Sequence, residues 1–429
     1  MNENLLIKDL MDFIDRSKNA YFATENLKNS LLDNGFIELK KDESWDLMFD
    51  EKYFYTNNDS SILAFTTPKN KVNFRFQIVG SHSDSPGFRI KPIHEKKIKG
   101  DYIRIDTEVY GGPIVSTWFD RPLSASGRVV LKSDNPLKPK VKLIDYDKDL
   151  MIIPNQCIHM NRELNNGYKY NYSIDTLPIM GMSEKDSENY LLKNISEILE
   201  VSADDILDFD LYLYPREKST LLGLNDEFIS APRLDNLAMA HASYRSFVES
   251  FSQEAVNVFF VSDNEEVGSM SIQGADSTML SDSILRISKA LGFTDDEYFE
   301  ALGRSFMISA DQAHAVHPNL TFNSDDLNYP IINHGPVIKY AANKAYTSDG
   351  LSASIFRQIA EKAGMPIQVF TNRSDKRGGS TIGPISQSHI NILSLDIGNP
   401  ILAMHSIREL GGVKDHYYLY EILKEFYNL

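Results

Sequence analysis

The sequence is poor in cysteine, in basic charge and in long apolar runs, and each shortage excludes a class of protein. The one cysteine, Cys157, excludes an internal disulfide and a thiolate-rich zinc site. Lys and Arg total 44 against 60 Asp and Glu, and the resulting net charge of −16 argues against nucleic acid or an anionic membrane as the main partner. No apolar run reaches the roughly 20 residues that span a bilayer, and the first residues lack the basic and apolar regions of a signal peptide. These shortages predict a cytoplasmic protein with neither a nucleic-acid nor a membrane partner.

The composition that is present is that of a folded protein, with 42% apolar and 11% aromatic residues. At 429 residues the chain is too long for one core, so we expect two domains. Strand and helix patterns alternate at both ends of the chain, whereas the section between them is dominated by short β patterns. This change predicts an α/β domain formed by residues 1–92 and 226–429, with a mixed sheet covered by helices on both faces. It also predicts an inserted, mainly β domain at residues 93–225.

Hydrophobic periodicity predicts where the strands and helices lie. Helical periodicity runs through residues 5–35, and a hairpin at 53–67 is followed by a strand at 74–80. Further strands are predicted at 256–261, 305–310, 366–371 and 390–396, and further helices at 187–199, 236–251, 281–291, 349–363 and 416–428. Ligand sites in α/β sheets lie at the carboxyl ends of strands, so residues directly after the predicted strands are candidates for a functional site.

Two adjacent carboxylates, Glu265 and Glu266, follow the strand predicted at 256–261. Neighbouring residues of a strand point to opposite faces of the sheet. Both side chains can therefore serve one site only if the backbone has already left the strand, and Gly268 is consistent with such a turn. An isolated pair of glutamates is more often a solvated acidic loop, so the functional interpretation depends on the rest of the chain.

Histidines and aspartates occupy similar positions in four other segments: His82 and Asp84, Asp235, Asp311, and His405. Each alone has a structural interpretation, as a helix cap, a loop residue or a core histidine. Together with the glutamates they supply the ligand set of a hydrolase with two metal ions, because imidazole suits zinc and a carboxylate can bridge two ions. A short bridging ligand favours Asp235. Asp84 lies two residues after a histidine, at a distance from which it could orient the imidazole.

Eight segments carry a more specific signal: G-S-H-S-D-S-P (80–86), I-H-M-N-R (158–162), R-L-D-N (233–236), D-N-E-E-V-G-S (263–269), A-D-Q-A-H-A-V-H-P-N (310–319), H-G-P-V-I-K (334–339), G-S-T-I-G-P (379–384) and A-M-H-S-I-R-E (403–409). In this order, and over nearly the whole chain, they resemble the M18 family of metallopeptidases, the aspartyl aminopeptidases, in its bacterial form. One departure is S-D-K-R-G at 374–378, where family members usually have D-S-P-C-G.

The resemblance implies two Zn²⁺ ions per subunit, which Co²⁺ or Mn²⁺ could replace. One zinc would be held by His82, Asp235 and Asp311. The other would be held by Asp235, Glu266 and His405, so that Asp235 bridges the two ions. The peptide bond after Asp235 is expected to be cis, as it often is in related enzymes.

The resemblance also implies roles in catalysis and substrate binding. Glu265 would be the general base, and Asp84 would hold the histidine ligand two residues before it. Lys339 would meet the acidic side chain of the substrate's first residue, although a surface lysine with an extended stem is the alternative. His314 would bind substrate or stabilise the tetrahedral oxyanion. His159, in the inserted domain, would reach the active site of a neighbouring subunit.

The function implied is a co-catalytic dinuclear zinc aminopeptidase that removes N-terminal residues, preferably Asp or Glu, from short peptides. The inserted domain would serve as a dimerisation and lid domain, and homodimers would assemble into a tetrahedral homododecamer. Lys339 and the pair Lys376–Arg377 favour acidic substrates, since an acidic protein needs a local positive charge to accept them. Two alternatives stay open: a dinuclear aminopeptidase of broader specificity that prefers neutral residues, and a non-catalytic shell protein of the same fold.

Overall fold

Buried β-branched and aromatic residues form the strands, and amphipathic segments form the helices. The computed structural model describes residues 1–71, 74–183, 189–376 and 378–429. Its strands are β1 (Ile37–Glu38), β2 (Lys52–Asn57), β3 (Ser61–Thr66), β4 (Arg75–His82), β5 (Gly87–Lys97), β6 (Tyr102–Tyr110), β7 (Leu123–Leu131), β8 (Lys140–Asp145), β9 (Ile179–Met182), β10 (Ile206–Pro215), β11 (Thr220–Leu222), β12 (Phe228–Ala231), β13 (Ala255–Ser262), β14 (Phe306–Ala310), β15 (Ala313–His314), β16 (Val337–Tyr340), β17 (Gln368–Thr371), β18 (Leu393–Gly398), β19 (Pro400–Leu402) and β20 (Glu409–Gly412). Its α-helices are α1 (Glu3–Arg16), α2 (Ala20–Asp33), α3 (Tyr190–Leu199), α4 (Leu234–Val248), α5 (Met279–Ala290), α6 (Asp295–Arg304), α7 (Gly350–Ala363), α8 (Ile382–His389) and α9 (Val413–Tyr427).

The chain divides into two units. The larger unit consists of Met1–Asp84, Ser219–Met404 and Glu409–Leu429, and the smaller unit consists of Ser85–Lys218 and His405–Arg408. The catalytic role of the first part and the dimerisation or lid role of the second remain predictions.

A mixed sheet forms the centre of the larger unit, with strand order β1-β2-β3-β13-β4-β14-β18-β16-β17. Its middle strands β13, β4, β14 and β18 are parallel to one another, whereas β3 and β16 run antiparallel to their neighbours in this group. Parallel strands end at the same edge of a sheet, so the residues that follow β4, β13 and β14 come together there. The mixed α/β class predicted from the sequence is confirmed.

Successive residues of β13 belong to two different hydrophobic clusters. Val258 and Phe260 pack with residues of α5 and α6, whereas Phe259 and Val261 pack with residues of α1, α2, α4, α7 and α9. This alternation follows from the two-residue period of a strand. Because both sets of side chains are buried, the strand reads in sequence as a continuous apolar run rather than as an alternating one.

The smaller unit contains an antiparallel sheet with strand order β8-β7-β10-β5-β6-β9. Its hydrophobic core is separate from those of the larger unit and includes Phe88, Trp118 and Leu211, with Leu191 and Ile195 from α3. No α-helix of the described residues in either unit is long and apolar enough to cross a membrane.

Several predicted elements differ from those in the structure. The helical segment 5–35 is two helices, because Ser17 ends α1 and the side chain of Asn19 caps the first turn of α2. Helices α6 and α8 were not predicted, since α6 is short and charged and α8 contains Gly383 and Pro384. Helix α3 begins at Tyr190, and residues 187 and 188 of its predicted range lie outside the described residues.

Two buried histidines join three helices of the larger unit. His241 of α4 lies with its Nδ1 atom 3.0 Å from Nε2 of His416 on α9, and its Nε2 atom is 2.8 Å from Oδ2 of Asp9 on α1. Burial lowers the pKa of His241 despite the attraction of Asp9. Burial and the neighbouring His241 lower the pKa of His416 further below its ordinary value. Both side chains therefore resist protonation in the folded chain.

We expect acid to destabilise the larger unit through this pair. Histidine has a pKa of about 6.5 in an unfolded chain, so below that pH the unfolded state binds more protons and stability falls. His416→Gln keeps a group that can hydrogen-bond His241 but removes one titrating group. The midpoint of thermal unfolding should then fall less steeply than in the wild type between about pH 7 and pH 5. His389→Gln, at an exposed histidine, should keep the wild-type slope, and identical slopes for all three proteins would contradict the prediction.

Candidate metal centre

His82 ends β4 at the centre of the larger unit, where carboxylates from three other segments surround its imidazole. Its Nε2 atom lies 3.4 Å from Oδ1 of Asp311, 3.6 Å from Oδ1 of Asp235 and 4.0 Å from Oε2 of Glu265. One ligand atom each from His82, Asp235 and Asp311 lies within 4.8 Å of the others, and the same is true of His82, Glu265 and Glu266. The strand ends thus bring together five of the residues predicted from sequence.

Asp84 connects this histidine to the two glutamates. Nδ1 of His82 lies 3.1 Å from the Asp84 carbonyl oxygen and 3.3 Å from its Oδ1 atom. The same carboxylate accepts hydrogen bonds from the backbone N–H groups of Glu265 and Glu266, each at 3.1 Å. Both glutamates lie on a short 3-10 turn after β13, so the backbone has left the strand, as their shared position requires.

Asp235 lies at the start of α4, where the backbone is not yet helical. Its peptide bond to Asn236 is cis. Its backbone N–H donates to Oε2 of Glu409 at 2.9 Å, and Nδ2 of Asn236 donates to the carbonyl oxygen of Ala310 at 2.9 Å. These bonds tie the aspartate to β20 and to the end of β14.

Two residues that support this segment were not predicted from sequence. Glu409 is buried and bonds Asp235 across 174 residues of chain, and Gln312 donates to the carbonyl oxygen of Leu234 at 2.9 Å. Little in the sequence indicates these roles, since Glu409 is one of two adjacent charged residues in the segment I-R-E-L-G-G.

The site concentrates negative charge in a buried place. Burial raises the pKa of Glu265 to about 7, and the nearby carboxylates add to the shift. Burial and neighbouring carboxylates also raise the pKa of Glu266 well above its ordinary value. Burial alone would lower the pKa of His82, but hydrogen bonds with Asp311 and Asp84 outweigh burial and raise it. A divalent cation would relieve this repulsion, and one imidazole with carboxylate oxygens is a donor set that suits zinc.

Lys339 supplies the opposite charge. It is buried on β16, with its Nζ atom 3.4 Å from Oδ2 of Asp311 and 5.4 Å from the ring centre of Tyr346. Burial would raise the pKa of Asp311, but Lys339 and His82 hold it below the usual range. The alternative of a surface lysine is therefore wrong.

The other predicted residues lie in different settings. His314 is exposed on β15, with its ring centre 6.1 Å from that of Phe370. His405 belongs to the smaller unit, where it has φ 68° and its Nδ1 atom lies 3.1 Å from the Gly112 carbonyl oxygen. His159 is exposed in a turn of the smaller unit. Arg377 lies outside the described residues.

Residues 13–427 match the family described as "Aminopeptidase I zinc metalloprotease (M18)". The chain belongs to this family. A probable M18 family aminopeptidase 2 of Clostridium novyi (strain NT) is 50% identical over the full length of both chains. Aspartyl aminopeptidase 4 of Saccharomyces cerevisiae is 36% identical over 98% of this chain and 94% of its own.

The fold is also that of solved M18 structures. A chain of the Ape4 and Nbr1 complex, determined by cryo-EM, has 35% sequence identity and a TM-score of 0.93. The match covers 99% of this chain and 86% of that one. The protein is therefore a metallo-aminopeptidase, a hydrolase of peptide bonds from a zinc-dependent family.

Proposed function

We propose that the protein is a co-catalytic dinuclear zinc aminopeptidase that removes N-terminal residues, preferably Asp or Glu, from short peptides with free N-termini. The observation that carries the proposal is the convergence of His82 with Asp235, Asp311, Glu265 and Glu266, from the ends of three parallel strands and the start of α4. Family membership supports the zinc-dependent chemistry. The number of ions and the preference for acidic residues are the parts that we propose.

The proposed ligands are His82, Asp235 and Asp311 for one Zn²⁺, and Asp235, Glu266 and His405 for the other, so that Asp235 is shared. Co²⁺ or Mn²⁺ could replace zinc at such ligands. Zinc, when bound, would polarise the scissile carbonyl and lower the pKa of the attacking water. Asp84 would keep the His82 imidazole in one orientation through the contact at its Nδ1 atom.

Glu265 is the proposed general base. It lies beside the proposed ligands, with its Oε2 atom 4.0 Å from Nε2 of His82, and a carboxylate is a common general base. The carboxylate would accept a proton from the attacking water and then deliver it to the departing amine.

Lys339 and His314 are the proposed substrate-binding residues. Burial would lower the pKa of Lys339, but Asp311 and other nearby acidic groups raise it, so the ammonium stays charged in a buried position. A buried cation offers an acidic side chain a partner within a protein that is otherwise negative. His314 would contact the substrate or the oxyanion from its exposed position on β15. The name of the S. cerevisiae relative agrees with an acidic preference.

We further propose that the protein acts as a homodimer that assembles into a tetrahedral homododecamer in the cytoplasm. Several large apolar side chains of the smaller unit are exposed, including Ile93 at 90%, Leu137 at 91%, Met160 at 75% and Ile174 at 70%, and subunit contacts would cover such groups. His159 would then complete the active site of a neighbouring subunit.

The function is tested by hydrolysis of Asp-, Glu-, Leu- and Lys-anilides before and after chelation and zinc return. We expect cleavage of the Asp and Glu substrates alone, loss of cleavage with chelator, and recovery with zinc. Preference for Leu would keep the mechanism but favour the broader-specificity aminopeptidase. No cleavage of any substrate at full zinc content would favour the non-catalytic shell protein.

Glu265→Gln should lower kcat by a factor of about 10² to 10⁴, the usual contribution of a general base. The amide keeps the shape of the side chain but cannot take a proton. Zinc content, measured by elemental analysis, should stay at the wild-type value because Glu265 is not a proposed ligand. Glu254→Gln, at an exposed glutamate, is the matched control and should keep wild-type turnover. A Glu265→Gln variant with wild-type kcat would disprove the assignment.

His159→Ala should lower turnover at unchanged zinc content if the histidine serves a neighbouring active site. Mixing this variant with an excess of Glu265→Gln subunits should then restore part of the activity, since a mixed pair can contain one complete site. Wild-type activity of His159→Ala would contradict the shared site.

A further inference from the structure

The turn that carries Glu265 and Glu266 has an uncommon backbone. Asn264 has φ 60° and Ser269 has φ 63°, in a region that few residues other than glycine adopt, and Gly268 has φ 101°. A short turn of this kind is held by bonds to its surroundings. The Asp84 carboxylate supplies two of them, to the backbone of the glutamates.

The side chain of Asn264 is the second point at which the turn is held. Its amide oxygen accepts hydrogen bonds from Oγ of Ser271 at 2.7 Å and from Nε2 of Gln273 at 2.9 Å. Its backbone oxygen accepts a bond from the N–H of Ser269 at 2.7 Å. The residue directly before the two glutamates is therefore fixed through both its side chain and its backbone.

Gln273 links Asn264 to the central sheet. Its Oε1 atom accepts a bond from Nδ2 of Asn58 at 3.0 Å, in the turn between β2 and β3. Its backbone oxygen accepts a bond from the N–H of Asp263 at 3.0 Å. One amide side chain thus donates towards the turn and accepts from the hairpin.

The loop that carries Gln273 packs closely against the turn that carries Glu265 and Glu266. A Cβ atom at Gly274 would lie 2.1 Å from the carbonyl oxygen of Ser269, so a side chain there would force the two segments apart. The close approach and the bonds of Gln273 together define the separation between this loop and the turn.

We propose that Gln273 is a positioning residue that acts through Asn264 to hold the carboxylates of Glu265 and Glu266. This inference rests on the proposed function, in which these carboxylates are the base and a zinc ligand. It assigns a role in the site to a residue whose side chain bonds Asn264 and Asn58.

Gln273→Glu tests the proposal with almost no change of shape. The variant keeps an oxygen that can accept from Asn58, but it replaces the donor to Asn264 with a second oxygen. We expect kcat to fall about tenfold or more with KM within about twofold, and release of zinc to a chelator to become about 10- to 100-fold faster. Protonation of the new carboxyl restores a donor, so the activity relative to wild type should rise as the pH is lowered.

Gln368→Glu is the matched control. Gln368 also joins separate segments of the larger unit, with Nε2 bonded to the carbonyl oxygens of Ile331 and Gly335. This variant should lose thermal stability but keep wild-type kcat and zinc release. If Gln273→Glu does not fold, Asn58→Asp removes the donor to Oε1 of Gln273 and keeps a residue type that tolerates φ 51°. It should show the same changes in kcat and zinc release to a smaller degree.

The outcomes separate the two proposals. A wild-type protein that cleaves no peptide would disprove the proposed function, and the zinc-release rates would still decide the role of Gln273. If the wild type is active and the folded Gln273→Glu variant keeps wild-type kcat, zinc release and pH profile, Gln273 is only a structural residue and the inference is wrong.

Discussion

The hydrogen bonds of the Asp84 carboxylate are the constraint on which the site depends. One side chain lies against the imidazole of His82 and accepts the backbone N–H groups of Glu265 and Glu266. These residues come from the ends of β4 and β13, which are neighbours in the sheet but lie about 180 residues apart in sequence. The two strands are paired in parallel, and the bonds of this buried carboxylate fix the distance between the imidazole at the end of one strand and the two glutamates that follow the other.

Charge balance explains why such a cluster suits a metal ion. Burial disfavours the ionised form of each carboxyl. The pKa values of Glu265 and Glu266 are raised because ionising these buried groups costs free energy. His82 and Lys339 offset part of it, and both contact Asp311. Divalent cations would offset more of the negative charge, and burial would strengthen their attraction to the ligands.

The parts of the site that could be predicted from sequence are those marked by a pattern of neighbouring residues. His82, Glu265 and Asp311 follow apolar strands, and that position is visible in a window of ten residues. Glu409 and Gln273 were not predicted to have roles. Glu409 bonds Asp235, which lies 174 residues away. Gln273 joins Asn264 to Asn58, which lies 215 residues from Gln273, so no local pattern reveals either connection. Segment 5–35 is divided into two helices by the cap at Asn19. The apolar periodicity continues across this cap, so the periodicity alone did not predict the division.

The order of strands in the larger unit also bears on how the chain is synthesised. Strands β3 and β4 lie on either side of β13, which begins 180 residues after β4 begins. The first 84 residues cannot complete their core until that strand has emerged from the ribosome, whereas nearly all of the smaller unit is one continuous segment. Domains fold as units during synthesis and non-local pairing is slow. The inserted segment is therefore able to fold first, while the core of the larger unit stays incomplete until β13 has been synthesised.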